Sequence, residues 1–557
     1  MLSVIFIWLY MLFTCYVTGF AFIRIVSGKG VFRCKKETSY LYAGIGVVTV
    51  YSQFFSIFWK VGLGANLILL FVCFLCIICF KKELEENLHT LRLTVSPVRA
   101  FAVFVILLLS AYGTSRGIIH YDTGLYHAQS IRWIEEYGAV PGLGNLHSRL
   151  AYNSSSFCLS AFYSMAFLGG QSYHCCAGFL SFLLALVCME GVGKERLKKP
   201  RLSDFARIIS VYYLLIIFDE MVSPASDYFM VLMVFFLIIR WLELTEQKEK
   251  SYLPYGLLCL FGVIVLTVKL SGALILFLVI KPAVMMIRER RIKEIIKFIG
   301  LGLGASAPFF IRNVILSGWL VYPFTSVDLF SFDFKIPKSV ADYDAKEIQV
   351  WGRGFSDVDR YGEPVLNWMP EWIRKLDVTN RGFLVMAFGG IVLLAFFLIY
   401  ALIKRKKEMA DFLFVAAVLA GCFLFWLFSA PLVRYGCVFL WLFPVLVWGY
   451  LYLAVSPHLD RYKIYLLMVC ALGVYKLAAF GLEVGGAATA DYLVYQKDYE
   501  NYETESYQLH GYTFYYPISG DRTGYRDFPA SPIKAEDIFR GETIEEGFKD
   551  VIHTEKF

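Results

Sequence analysis

Charged residues are scarce in this chain: Asp, Glu, Lys and Arg make up 18% of its 557 residues, where soluble domains carry about 25%. A disordered chain needs far more charge than that, so disorder is excluded. Cysteine is present but without a useful pattern. No CxxC pair sits in a polar loop with a second pair or with His partners, which argues against a zinc site. The stretch from Val484 to Phe557 has no Cys to staple it. CFLCIIC (73–79) has ligand-like spacing, but it lies inside an apolar run with no charged or His neighbour and reads as packing. GLGLGAS (300–306) lacks the Lys-Ser/Thr of a phosphate loop and reads as small-residue helix packing. No heptad array or solenoid repeat is visible. Apolar residues fill the space that charge leaves. They reach 58%, with Phe, Tyr and Trp at 17% and a mean hydropathy of +0.59. Long soluble chains split into domains with polar exteriors and cannot hide so much apolar surface. The composition therefore excludes a cytosolic enzyme or a disulfide scaffold and predicts an all-α polytopic membrane protein.

Runs long enough to cross about 30 Å of hydrocarbon lie near 2–23, 40–59, 61–80, 98–119, 170–192, 205–222, 226–244, 253–268, 271–287, 295–316, 380–402, 409–429, 433–455 and 463–483, giving about 14 spans. The apolar stretch from Tyr255 to Ile287 is too long for one span and divides at Lys269–Ser271. Residues 2–23 have no basic segment before them and no clear cleavage site after, so they are expected to stay as the first span. Basic clusters at Arg24–Lys36, Lys81–Arg99, Lys194–Arg207, Arg240–Lys250, Lys281–Lys297, Lys404–Lys407 and Arg461–Lys463 hold 30 of the 53 Lys and Arg. They fall in alternate loops if the N-terminus lies outside, which the positive-inside rule favours. The expectation is a multi-pass protein of the cell's inner (cytoplasmic) membrane with both termini extracytoplasmic. Residues 1–483 would form the transmembrane domain, with a first outer loop at 120–169 and a long outer loop at 313–379. Within the first loop the short apolar stretch Ser155–Leu168 reads as a helix lying at the outer interface, with the next span entering after Gly169–Gly170. Residues 484–557 are acidic, net −7 against +14 for the rest, and carry the strand-like GYTFYYP (511–517) and the turn signal SGDRTG (519–524). They predict a small C-terminal extracytoplasmic domain. The basic excess sits in short loops between spans, so no nucleic-acid partner is implied.

The first outer loop reads IIHYDTGLYHAQSIRWIEEYGAVPGLGNLHSRLAYNSS. DTGLYHAQSIRWIEEYG has the Asp–Thr start and Gly stop of a helix. Asp122 is placed either to cap that helix, accepting from its free N–H groups, or to act chemically. The loop is rich in groups that touch sugars and phosphates, namely His120, His127, Arg132, Glu135, Asn145, His147, Arg149 and Asn153, and PGLGN is a turn that folds its second half over the first. The block resembles the GT-C superfamily of membrane glycosyltransferases, which place an acidic residue at the start of the first large outer loop, just after a span. A juxtamembrane helix, a Pro-containing turn and a second interfacial helix follow. The matching pieces are Asp122 in YDTGLYH, the helix to Tyr137, Pro141, and SSSFCLSAFYSMAF before Gly169. HYDTGLYHAQSIRWIEEYG and VPGLGNLHSRLAYNSS, RNVILSGWLVYP (312–323) and the YYP…FPASP tail are also similar to a group of bacterial multi-spanning proteins placed near that superfamily. Two features depart from the pattern. Three extra spans precede the usual first core span, and Asp122 has no acidic neighbour until Glu135.

The resemblance implies a GT-C-like helix bundle with outer-face juxtamembrane helices, serving polysaccharide biosynthesis in the cell envelope. A sugar would pass from a polyprenyl-phosphate donor, the form available outside the membrane, to a glycan or lipid-linked acceptor. Asp122 would be the general base for the acceptor hydroxyl, and fixed cations would hold the leaving phosphate. Lys269 in LTVKLSG, Arg312 in FFIRNV and Arg434 in SAPLVRYG stand at span ends and are the candidates for that phosphate. Each is equally a snorkelling cation. His120, Tyr126, His127 and Arg132 are the candidates for the acceptor. In FDEMVSPASDYF, Asp219–Glu220 and Asp227 suit a metal or a second sugar, and suit better a solvated turn with a capping Asp. Asp328, Asp333, Trp351, Arg353 and Trp368 in the long loop suit sugar stacking and hydroxyl bonding, as well as a membrane aromatic belt. No residue is assigned to a metal, no cofactor is assigned, and a divalent metal is compatible with the carboxylates. Two other readings stand beside this one. An envelope polysaccharide polymerase or ligase would rely on Arg-rich loops, and a lipid-linked-glycan transporter or flippase would show unwound spans in both halves.

Overall fold

The computed structural model describes residues 1–28, 34, 36–94, 96–191, 199–455, 461–536 and 538–550. Nineteen α-helices run through them: α1 Leu2–Ser27, α2 Glu37–Phe58, α3 Leu63–Cys79, α4 Lys81–Thr94, α5 Pro97–Arg116, α6 Ala128–Glu136, α7 Ser155–Tyr163, α8 Cys176–Met189, α9 Leu202–Ile216, α10 Ser226–Glu246, α11 Tyr252–Val268, α12 Ile280–Arg288, α13 Ile292–Ser317, α14 Lys338–Gly352, α15 Val365–Lys375, α16 Val378–Ile403, α17 Ala410–Ser429, α18 Val433–Val455 and α19 Arg461–Gly486. Each apolar run of the sequence contains an α-helix. Among the described residues nine helices are long and apolar enough to cross a membrane, or ten if α3 and the adjoining part of α4 count as one span bent by 85°. The protein is a helical, multi-pass membrane protein. The runs at 61–80, 170–192, 205–222 and 253–268 form helices of 17, 14, 15 and 17 residues, shorter than the roughly 20 residues that span hydrocarbon unaided.

Helix α10 is apolar all round and its side chains are buried for most of its length, as an interior helix must be. It packs against α8, α9, α11 and α18. The tightest helix contact is between α1 and α2. A Cβ added to Gly44 would lie 1.8 Å from the Cys15 carbonyl oxygen, and one on Gly19 would lie 1.9 Å from that of Tyr40, so here the two backbones touch. GLGLGAS behaves differently. A Cβ on Gly300 or Gly304 meets nothing within 4 Å, and both residues line a cavity of about 430 Å³ between α2, α11 and α13. All thirteen cysteines are unpaired.

The N-terminus, the segment after α5 and the tail meet at one end of the bundle. The N–H groups of Leu2 and Ser3 donate to the carbonyls of Leu493 and Val494 at 2.9 and 3.0 Å. The sequence placed an interfacial helix at 155–168. The structure has a nine-residue helix, α7, whose residues are all buried, so it packs inside the protein and not along a lipid surface. The following helix starts at Cys176 and not directly after Gly170. In the tail β1 (Thr504–Leu509) and β2 (Tyr512–Pro517) pair antiparallel around His510 and Gly511, both at positive φ, the geometry of a two-residue hairpin turn. Phe514, Phe539 and Phe548 of the tail share a core with Trp133, Leu143, Leu146 and Leu150 of the first loop. Tail and loop therefore bury each other's apolar faces.

The two kinds of glycine separate in a stability test. Gly44→Leu drives a side chain into backbone and is expected to cost at least about 3 kcal/mol or to abolish a monodisperse product. Gly304→Leu fills open space and is expected to leave the melting temperature within about 2 °C of the parent. Size-exclusion thermal melts of the detergent-solubilised protein check both.

Candidate functional site

The site begins where α5 stops. Gly117 is bare because the Asp219 carbonyl oxygen stands 2.0 Å from where its Cβ would be. The Ile118 N–H donates to that same carbonyl at 2.6 Å, and Arg116 pairs with the Asp219 carboxylate at 2.8 Å. The chain leaving α5 is thus fixed to the turn that precedes α10. It next makes a tight bend, with the Thr123 N–H donating to the His120 carbonyl at 2.9 Å and the Asp122 N–H to His120 Nδ1 at 3.1 Å. Thr123–His127 then form a single π-helical turn before α6, a wide turn found often at functional sites.

Asp122 stands at the N-terminus of this turn but caps nothing with its side chain. Its carboxylate instead accepts from Nη2 of Arg434. The other terminal nitrogen of Arg434 meets the His120 imidazole, and Nε lies 3.4 Å from Asp227 Oδ2. The second oxygen of Asp227 accepts from Lys269, whose ammonium also sits 3.9 Å from the centre of the Tyr435 ring. Carboxylate and cation alternate along the chain Asp122, Arg434, Asp227, Lys269. Asp227 is the most buried of the four, its side chain 8% exposed against 18% for Asp122 and 27% for Arg434.

Both cations stand at breaks in helices. Lys269 is extended, at φ −157° and ψ 128°, between α11 and a 3-10 stretch, Leu270–Val279, that leads into α12. Ten residues of 3-10 geometry is long for that form. Arg434 and Tyr435 fall just before Gly436, whose φ of −162° and ψ of 25° interrupt α18. The two breaks are joined where the Ser271 hydroxyl donates to the Tyr435 carbonyl at 2.9 Å.

Electrostatics follow from this packing. Burial, the largest single influence, would raise the Asp122 carboxyl, but the Arg434 guanidinium and its hydrogen bond, with smaller contributions from His127 and His120, together hold the group below its ordinary value. Asp122 is therefore ionised at neutral pH. Burial lowers His120, helped by Arg434, and pushes His127 down to about 3. Both imidazoles are neutral and leave the positive charge to Arg434 and Lys269.

The structure brings together Asp122, His120, Lys269 and Arg434. Tyr126 and His127 pack beside them, their rings 4.3 Å apart. Arg312 and Arg132 are elsewhere. Arg312 is buried and donates to the Ser56 hydroxyl at 2.6 Å and to Asn153 at 3.1 Å, tying α13 to α2 and the first loop. Arg132 donates to the Tyr525 carbonyl at 2.7 Å and stacks on the rings of Tyr525 and Phe528, so it holds the tail. Sequence reading gave Asp227 to a solvated turn, yet it is the residue that links the two cations. The signal was Lys269 itself, because a Lys between two apolar runs needs an acid at the same depth. Among the described residues no three His, Cys, Asp or Glu side chains converge as a metal would require.

The tail covers the π turn. The N–H groups of Thr523 and Gly524 donate to the Gly124 carbonyl at 3.0 and 2.8 Å, and Gln129 donates to the carbonyls of Gly524 and Asp527. Deeper in, the Tyr525 hydroxyl donates to Glu135 at 2.5 Å and the Ser172 hydroxyl to its other oxygen at 2.9 Å. Burial pushes Glu135 up to about 7, and the hydroxyls only partly offset this.

The Domain of unknown function (DUF8201) family model matches residues 1–441, so the chain belongs to that family. The matched stretch contains Asp122, Asp227, Lys269 and Arg434. No curated protein and no solved structure matches the chain.

A group whose value rises on folding stabilises the packed form fully below its ordinary value and loses that contribution as pH climbs through the folded one. Docking of the tail is thus expected to weaken as pH rises from about 5 through about 7. Limited proteolysis of residues 484–550 across that range measures it. Glu135→Gln mimics the protonated acid and should flatten the profile.

Proposed function

We propose that this DUF8201 family member is a GT-C-type glycosyltransferase. It moves a sugar from a polyprenyl-phosphate donor to an extracytoplasmic glycan or lipid-linked acceptor. In this reading the bundle has about 14 spans and sits in the cytoplasmic membrane with both termini and the site on the outer side. The tail forms a small extracytoplasmic domain there. The observation that carries the reading is one ionised carboxylate, Asp122, held at the exit of a span against a cation from a distant helix.

The chemistry asks for those parts. The acceptor hydroxyl gives its proton to the Asp122 carboxylate as its oxygen attacks the anomeric carbon. The bond from that carbon to the phosphate oxygen breaks, and the phosphate leaves carrying the electron pair. Arg434 and Lys269 receive the charge, and the neutral imidazoles of His120 and His127 add none of their own. These cations are paired with Asp122 and Asp227, so an arriving phosphate exchanges with a carboxylate. Releasing Asp122 from Arg434 raises its basicity when the donor is in place.

A second reading, a lipid-linked-glycan transporter, draws on the two helix breaks that meet at Ser271 and Tyr435, since unwound spans are a transporter device. Incubation of the purified protein with a radiolabelled polyprenyl-phosphate sugar separates the two, because a transporter leaves the donor intact.

Asp122→Asn keeps the size of the side chain and is expected to preserve expression and melting behaviour while lowering transfer by about 100-fold or more. Full transfer activity in that variant would remove the mechanism.

A further inference from the structure

Beyond Tyr126 the site continues away from the cations. The Tyr126 ring packs edge-on against Tyr152 at 5.6 Å, and the Tyr152 hydroxyl donates to Asp344 on α14 at 2.6 Å. Arg149, in the same turn as Tyr152, lies with its guanidinium 4.5 Å from the centre of the Trp351 ring and 3.8 Å from the Glu347 carboxylate. That gap is an ion-pair distance, not a hydrogen bond. The Arg149 side chain is only 13% exposed, yet none of the described residues accepts a hydrogen bond from its guanidinium. Its guanidinium nitrogens reach solvent, so its five N–H groups are open to a ligand. Glu347 likewise accepts no hydrogen bond among the described residues, and the Trp351 indole is 37% exposed.

This trio is coupled to the site. Burial would lower Arg149, but Tyr152, Glu347, Tyr126 and Asp122 all act on it and together raise it. From the other side the end of α14 rests on the segment leading to Arg434, since a Cβ on Gly352 would lie 2.7 Å from the Ala430 Cα. The Trp372 indole donates to the Pro431 carbonyl at 3.0 Å.

The geometry points to a sugar-binding subsite formed by Arg149, Glu347 and Trp351, which takes a neutral sugar residue of the acceptor and presents its hydroxyl toward Asp122. The inference rests on the glycosyltransferase reading and names the substrate side of that site. Free donors on Arg149 and a free acceptor on Glu347 match the hydroxyls of a sugar, and the indole matches its apolar C–H face. The two charges cancel, so the subsite favours neither an acidic nor a basic sugar.

Saturation-transfer NMR of the purified, detergent-solubilised protein with glucose, galactose, mannose and N-acetylglucosamine tests this without needing the true acceptor. At least one sugar is expected to show transfer in the parent and in Asp122→Asn. That sugar should bind at least 10-fold more weakly in Trp351→Ala and in the isosteric Glu347→Gln. Absence of binding by all four sugars in the parent, or binding unchanged in both variants, overturns the subsite. Loss of donor turnover in Asp122→Asn is scored separately. If that variant keeps turnover while the sugar signals depend on Trp351 and Glu347, the transferase mechanism fails and the subsite stands.

Discussion

The Arg434 guanidinium is shared by two carboxylates that arrive from different parts of the chain, Asp122 from the first loop and Asp227 from the start of α10. An acid in a half-buried membrane-end site is expensive to keep ionised, and two near each other are worse, because like charges raise one another's proton affinity. One planar cation stands between them, with Lys269 beyond, and offsets part of that cost. The rest of the site is arranged to make that meeting possible. Gly117 lets the chain turn against Asp219, the π turn aims Asp122, and the breaks at Lys269 and Gly436 bring two cations to a level where a continuous helix would carry its side chains past each other.

Around this charged centre the packing is aromatic and largely non-local. Residues of the tail lie hundreds of positions from the loop they cover, and Phe514, Phe539 and Phe548 find their apolar partners in Trp133 and the leucines of the 143–150 turn. The tail thereby fixes the backbone at Gly124, within the turn that orients Asp122. Position of the catalytic candidate and folding of the tail are one problem, not two.

Much of this was legible in the sequence because a bilayer imposes a simple code. An apolar run must be a helix, since the backbone has no other way to satisfy itself in hydrocarbon, and each run contains one. A charge at a span end is conspicuous for the same reason, which singled out Asp122, Lys269 and Arg434. The same logic also picked Arg312, whose partners Ser56 and Asn153 carry no charge and give no sign in the sequence of where they fold. Asp227 was hidden by an ordinary pattern, since an acid in the first turn of a helix usually serves that helix. Arg132 reads as a loop cation until its carbonyl partners nearly four hundred residues later are in place. The glycines show the limit most clearly. Gly300 and Gly304 look like a packing stripe, while Gly19 and Gly44, where helices do touch, have no distinguishing context.

The central helix α10 is fastened near both ends. Asp227 binds Lys269 and approaches Arg434 at one end, and thirteen residues on, Arg240 and Glu243 join Glu190, Thr38 and Arg207 at the other. A rod pinned this way cannot slide along its axis or roll about it without parting buried ions at both extremities together. It is a fixed mast set between jointed neighbours, the interrupted α11–α12 and α18 segments.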